Sequence, residues 1–329
     1  MSALAPTLEA FFTERLVRER RASSHTIAAY RDTFRLLVCF AEHRTRRAPS
    51  ALRFEELDAT FISSFLDYLE SERHNTIRTR NARLAAIHSF YRFAARRHVE
   101  HAELIRRILA IPTKRFMRAD VSFLNDEEVE ALLNAPDESN FLGRRDRALL
   151  LLAIQTGLRV SELTSLTCGD IVFGTGAHVH CVGKGRKERI TPLTKETIAV
   201  LRAWMVERNG AGADPLFITN RGEPLGRAGV ARMLDKHIRT AAKTCVSLES
   251  KHVSPHVLRH TAAMRLLQAG VDTTVIALWL GHESLDTTLV YIHADLALKE
   301  RALARTAPIG TLPGRFRPTD ELLAFLEGL

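Results

Sequence analysis

No membrane-length apolar run, no closely spaced cysteine pair and no nucleotide-binding glycine loop occurs in these 329 residues. The longest apolar stretch, Ala148 to Ile154 (ALLLLAI), is far short of the roughly 20 residues that cross a bilayer. Glu9, Glu14 and Arg15 interrupt the N-terminal apolar residues, so no signal peptide and no membrane role are expected. Cys39, Cys168, Cys181 and Cys245 are scattered without a CxxC pair. That spacing argues against a zinc ribbon, a redox motif or a secreted disulfide framework, and the reducing cytoplasm is the expected compartment. The glycines of VGKGRKERITPL lack Walker-loop spacing, and no internal repeat or low-complexity tract is visible.

What the chain does have is basic charge, unevenly placed. The net charge is +9, and residues 1–120 hold 22 Lys and Arg against 14 Asp and Glu, while residues 121–329 hold 25 against 24. A polyanionic partner is favoured, and the N-terminal part carries nearly all the excess. The length suits about two domains, and 46% hydrophobic residues suffice for two cores.

Ile27, Tyr30, Phe34, Leu37, Val38 and Ala41 recur at helical spacing after a serine cap. A second helix follows Asp58, with Phe61, Ile62, Phe65, Leu66 and Leu69, and a third begins near Asn75, with Ile77, Leu84, Ile87 and Tyr91. The third carries Arg78, Arg80, Arg83, Arg92, Arg96 and Arg97, either a soluble charged surface or a nucleic-acid face. Pro112 and the basic residues around it break the periodicity, and LNDEEVEALL restarts a helix capped at Asn125. HVHCV and ERITPL flank the turn GKGRK as a hairpin would. The expected fold is mainly α with a small β-sheet (α+β). A helical domain over 5–112 is followed by a linker over 113–120, a second domain over 121–306 and a tail over 307–329. Within the tail, PTDELLAFLEGL has the pattern of a short helix that docks on its own chain or on a neighbouring subunit.

Four segments of the second domain carry polar residues without a core role. Arg159 follows the helix-ending Gly157 in QTGLRVSELTSL, and Lys184 sits at the hairpin tip. In SPHVLRHTAA, Ser254 is a plausible N-cap and Pro255 suits the first helical position. His256 then falls in the first turn, with Arg259 and His260 on the same face, a geometry suited to an anion. His256 and His260 also have zinc-helix spacing, but Val257 replaces the glutamate such a site needs and Arg259 adds a positive charge, so no metal is expected. His260 reads as a structural histidine. In LGHESLDTTLVYIHAD, His282 follows Gly281, and Tyr291 projects away from the stripe of Leu285, Leu289 and Ile292.

In chain order, Arg159, Lys184, His256 with Arg259, His282 and Tyr291 resemble the tyrosine recombinase (phage integrase) family, through its TGLR.SEL, GKG.K.R..PL, H.LRH and LGH.S...T..Y signatures. The resemblance covers roughly residues 5–305 and extends to Xer-type and mobile-element recombinases. It implies a helical core-binding domain and a catalytic domain that close on double-stranded DNA as a clamp, with Arg78, Arg80, Arg83, Lys114 and Arg115 as DNA contacts. It implies that Tyr291 attacks a phosphodiester to form a 3′-phosphotyrosyl bond without metal, ATP or other cofactor. Arg159 and Arg259 would hold the non-bridging oxygens, and His256 would contact the phosphate and assist proton transfer from Tyr291. His282 would hold another oxygen, and Lys184 would protonate the leaving 5′-oxygen. The family acts as a tetramer on paired sites, as one protein or with related recombinases. The tail beyond about residue 306 favours a mobile-element recombinase over an Xer-type resolvase of chromosome or plasmid dimers. A catalytically silent DNA-binding accessory protein and a metal-dependent hydrolase are the readings from other classes.

Overall fold

Short polar side chains set where the N-terminal helices begin. Ser23 Oγ accepts the Thr26 N–H at 3.2 Å to start α2 (Ser24–Thr45), Asp58 Oδ1 accepts that of Phe61 at 2.7 Å to start α3 (Ala59–Ser71), and Thr76 Oγ1 accepts that of Thr79 at 3.2 Å to start α4 (Ile77–Ala94). The computed structural model describes residues 4–116, 121–183, 188–282, 287–288 and 291. They divide between two units, Met1–Ala119 and Asp120–Leu329.

In the first unit α1 (Leu4–Ala10) continues in wider helical turns over Phe11–Glu19, and α5 (Ala102–Leu109) closes the bundle. Its core is aromatic. Phe90 packs edge-on against Phe11 and Phe34 at centroid distances of 5.5 and 5.2 Å, a favoured arrangement for ring quadrupoles. Tyr91 is fully buried, which its hydroxyl tolerates by donating to Leu57 O at 3.1 Å. The arginine-rich helix α4 does not present all its charges outward. Arg80 is buried, with its Nε 3.4 Å from a Glu70 carboxylate oxygen and its Nη1 donating to Pro112 O at 3.1 Å. Next to it Asn81 exchanges two hydrogen bonds with the backbone of Lys114, at 2.8 and 3.1 Å. The start of the expected linker is thus pinned to α3 and α4.

The second unit is built around α7 (Phe141–Thr156), packed against α9 (Lys195–Arg208) and α11 (Pro255–Gln268). All of Ala148 to Ile154 is buried, so the chain's longest apolar run is a core helix. No described helix is long and apolar enough to cross a membrane. The capping box of Asn125 and Glu128 opens α6 (Asp126–Leu133), and α8 (Val160–Ser165) follows α7 directly. The antiparallel sheet runs in the order β1 (Ile171–Val172), β2 (His178–Val182), β3 (Glu188–Pro192), with Val179 opposite Thr191 and Val182 opposite Glu188. After α10 (Arg227–Ala241) and α11, α12 (Thr273–Leu280) ends at Gly281. The expected class, helical with a small sheet, is the observed one. The tail over 307–329 lies outside the described residues.

Candidate active site

Two left-handed turns organise the site. Gly157 (φ 64°) ends α7 and Gly281 (φ 63°) ends α12, a conformation that glycine adopts without steric cost. The turns are packed closely: a Cβ on Gly157 would lie 2.5 Å from Leu280 Cδ2 and 3.1 Å from Ala262 Cβ. Helix ends leave carbonyls without intrahelical partners, and here two arginines take them. Arg259 donates from Nη1 to Gly157 O and from Nη2 to Leu280 O, both at 2.7 Å, and Arg159 donates from Nη2 to Gly281 O at 2.9 Å.

Glu162 completes this frame. It lies at the third position of α8, where it accepts the Arg159 backbone N–H at 2.7 Å and Arg159 Nη1 at 2.9 Å, and it pairs with Arg189 of β3 at 2.7 and 3.1 Å. Burial alone would raise the pKa of its carboxyl, but the Arg189 and Arg159 bonds hold it below the ordinary value. Arg159 and Arg189 share this one carboxylate, and Arg259 adds a third positive charge near it, which leaves the site positive. Burial, and then Arg159, push Arg259 down to about 10, which keeps it charged at neutral pH.

The histidines occupy distinct places. His256 is exposed in the first turn of α11, after Pro255 at the first helical position. Ser254 has the extended backbone of an N-cap, but its side chain makes no capping bond. One turn later His260 Nδ1 lies 3.0 Å from the Tyr291 hydroxyl. The ring of His282 stacks on Tyr291 at an interplanar angle of 17°. Burial, with Arg259, Arg159 and Arg189 around it, lowers the His282 pKa to about 4, so its ring is neutral near neutral pH.

Tyr291 differs from expectation. It is only 3% exposed, packed with Ala263, Met264, Leu267, Ile276 and Leu280. A helical wheel drawn from its own segment does not include α11 and α12, which supply that cover. Burial raises the pKa of its hydroxyl, although Arg259 and Arg159 oppose the shift. Arg159, Arg259, His260, His282 and Tyr291 thus come together. Lys184, between β2 and β3, lies outside the described residues.

Residues 122–297 match the profile described as "Phage integrase family", and residues 10–98 match "Phage integrase, N-terminal SAM-like domain". The chain belongs to the phage integrase family. It is 56% identical over 328 residues to the putative integrase/recombinase y4rC of Sinorhizobium fredii, covering 100% of this chain and 99% of that one. It is 37% identical over 289 residues to the tyrosine recombinase XerC of Pelobacter propionicus, covering 87% and 90% of the two chains. Its fold resembles that of the XerH site-specific recombinase bound to palindromic difH substrate in a post-cleavage complex, with a TM-score of 0.69, 24% identity, and 87% and 82% of the two chains covered.

In this phage integrase family chain, Glu162, Arg189 and Thr288 stand in the signature segments without an expected role, and His260 is expected only as a structural histidine. Glu162 had a local signal, since a glutamate three residues after a helix start can close a capping box. Arg189 is the fixed arginine of GKG.K.R..PL, but its pairing with Glu162 has no local signal, because the two are 27 residues apart. Of the basic residues expected at DNA, Arg78 and Arg115 are exposed, and Arg83 is half-buried. Lys114 is exposed and pairs with Glu70 at 2.8 Å. Arg80 is buried, and its guanidinium is partnered inside the first unit by Glu70 and the Pro112 carbonyl.

Proposed function

We propose that the chain is a site-specific DNA recombinase that cuts and rejoins double-stranded DNA through a 3′-phosphotyrosyl intermediate, with Tyr291 as the nucleophile. The observation that carries this reading is the convergence of two carbonyl-anchored arginines, Arg159 and Arg259, with Tyr291 and two of its histidine neighbours. A phosphoryl transition state gathers negative charge on its non-bridging oxygens. Preorganised donors that need no rearrangement stabilise it best, at about 10²- to 10³-fold in rate per donor. Arg159, Arg259, His256 and His282 are the donors in this proposal, and Lys184 protonates the leaving 5′-oxygen. The arginines supply the electrophilic assistance that a metal supplies elsewhere, and no cofactor enters. Conserving the phosphodiester as a phosphotyrosyl bond removes any need for ATP.

The biological setting is integration, excision or transposition of a mobile element. The full-length similarity to a putative integrase/recombinase, tail included, supports it over Xer-type dimer resolution. The working assembly is a tetramer on paired sites, formed by this chain alone or with related recombinases. In this reading Arg78, Arg83, Lys114 and Arg115 meet the DNA backbone.

The test is a nicked suicide duplex carrying the sequence that the wild-type protein selects from a randomised pool. Wild type forms a denaturant-stable adduct and Tyr291→Phe binds without forming one. An adduct in Tyr291→Phe overturns the reading. Cleavage continues in excess EDTA, and a loss that zinc or magnesium restores means a hydrolase site instead. Binding with no adduct from wild type leaves the accessory DNA-binding protein.

A further inference from the structure

The hydroxyl of Tyr291 is buried, and the hydrogen bond it makes among the described residues is to His260 Nδ1, at 3.0 Å. We infer that His260 is a further catalytic residue, whose Nδ1 takes the Tyr291 proton as the tyrosine attacks and hands it back when the strand is rejoined. The inference rests on the reading of Tyr291 as the nucleophile.

Both groups are prepared for this transfer. Burial raises the Tyr291 pKa, so the hydroxyl keeps its proton at rest and must lose it to attack. Burial, then His256 and Arg259, lower the His260 pKa, so its ring is neutral and Nδ1 can offer a lone pair to the hydroxyl while Nε2 carries the hydrogen. The titratable and charged groups around His260 are His256 and Arg259 on its own helix, and Tyr291 and His282 after α12. His256, exposed one turn earlier, is left free to meet the phosphate from the solvent side. The spacing explains the division of labour: residues four apart on a helix share a face, the first at the open end and the second against the covered tyrosine.

The step balances. In cleavage the Tyr291 Oη–H proton passes to His260 Nδ1, the Oη–P bond forms, the P–O5′ bond breaks, and O5′ takes a proton from Lys184. In rejoining, the 5′-hydroxyl attacks phosphorus and returns its proton to Lys184, the Oη–P bond breaks, and Oη recovers its proton from His260. The imidazolium formed in cleavage lies beside Arg259, which favours giving the proton back.

His260→Asn tests this, because an amide oxygen or nitrogen near the Nδ1 position keeps a hydrogen bond but cannot accept a proton. On the selected suicide duplex, His260→Asn is expected to bind like wild type and to cleave about 10²-fold more slowly in single turnover, the low end for loss of a general base. The acid limb of the wild-type pH–rate profile should flatten. With sulfur at the bridging 5′ position the leaving group needs no proton, so Lys184→Ala should recover and His260→Asn should not. Cleavage by His260→Asn within threefold of wild type, or its rescue by sulfur, overturns the assignment to His260. If Tyr291→Phe still forms an adduct, the fault is in the nucleophile assignment instead. Should His260→Asn not fold, ¹⁵N-histidine spectra of wild type and Tyr291→Phe decide: an unmoved His260 Nδ1 resonance overturns the contact.

Discussion

Thr288 Oγ1 lies 2.7 Å from Nδ1 of His282, and Thr288 is itself buried. With its pKa lowered to about 4, His282 carries one ring hydrogen near neutral pH. A hydroxyl that donates to Nδ1 places that hydrogen on Nε2, the nitrogen left to face a phosphate oxygen. Thr288→Val, close in shape but without the hydroxyl, is expected to slow single-turnover cleavage about 10-fold or more, within the 10- to 100-fold typical of lost orienting partners. Thr288→Ser should retain most of the rate. Equal rates for the two variants on a suicide duplex would remove Thr288 from the site.

Gly157→Ala should destabilise the second unit. The left-handed backbone costs an L-residue about 1–2 kcal/mol, and the added methyl meets Leu280 and Ala262. Because Arg259 binds the Gly157 carbonyl, cleavage should fall more than stability alone explains. Denaturant titration and cleavage at a temperature where both proteins are folded separate the two effects.

Acid should weaken the folded protein through His282. Its folded pKa, about 4, lies below the ordinary 6.5, so the unfolded chain binds the extra proton first. The contribution of the neutral ring is complete above pH 6.5 and is lost as pH falls from there towards 4. Melting temperature should drop over that window, and His282→Gln should make the drop shallower. An unchanged slope would mean that other groups dominate the acid limb.

Arg78 and Arg80, two residues apart on α4, should behave oppositely. Arg78→Ala should leave stability within about 0.5 kcal/mol of wild type, lower affinity for duplex DNA and reduce the salt slope by about 1. Arg80→Ala should cost stability near the low end of the about 3–5 kcal/mol typical of broken buried pairs, since Lys114 still neutralises Glu70. Chemical denaturation and binding at several salt concentrations distinguish them.

The sequence by itself determined what local physics decides. Ser23, Asp58 and Asn125 begin helices because a short acceptor meets the free amides of the next turn. The antiparallel pairing of β2 with β3 follows from the two strand-like runs HVHCV and ERITPL lying close together in the sequence. The order of Arg159, His256, Arg259, His282 and Tyr291 was legible as a family signature. Burial and partnership were decided only by the tertiary structure. Arg80 has the same charge as Arg78, but the Pro112 carbonyl and Glu70 that close over it arrive from other segments. Tyr291 falls off the apolar stripe of its own segment, yet α11 and α12 cover it. Arg259 finds the carbonyls of residues 157 and 280 only when two distant helices end side by side. Helix periodicity and capping depend on neighbours within a few residues, whereas the direction, charge state and hydrogen-bond partner of each site residue depend on groups that only packing brings close.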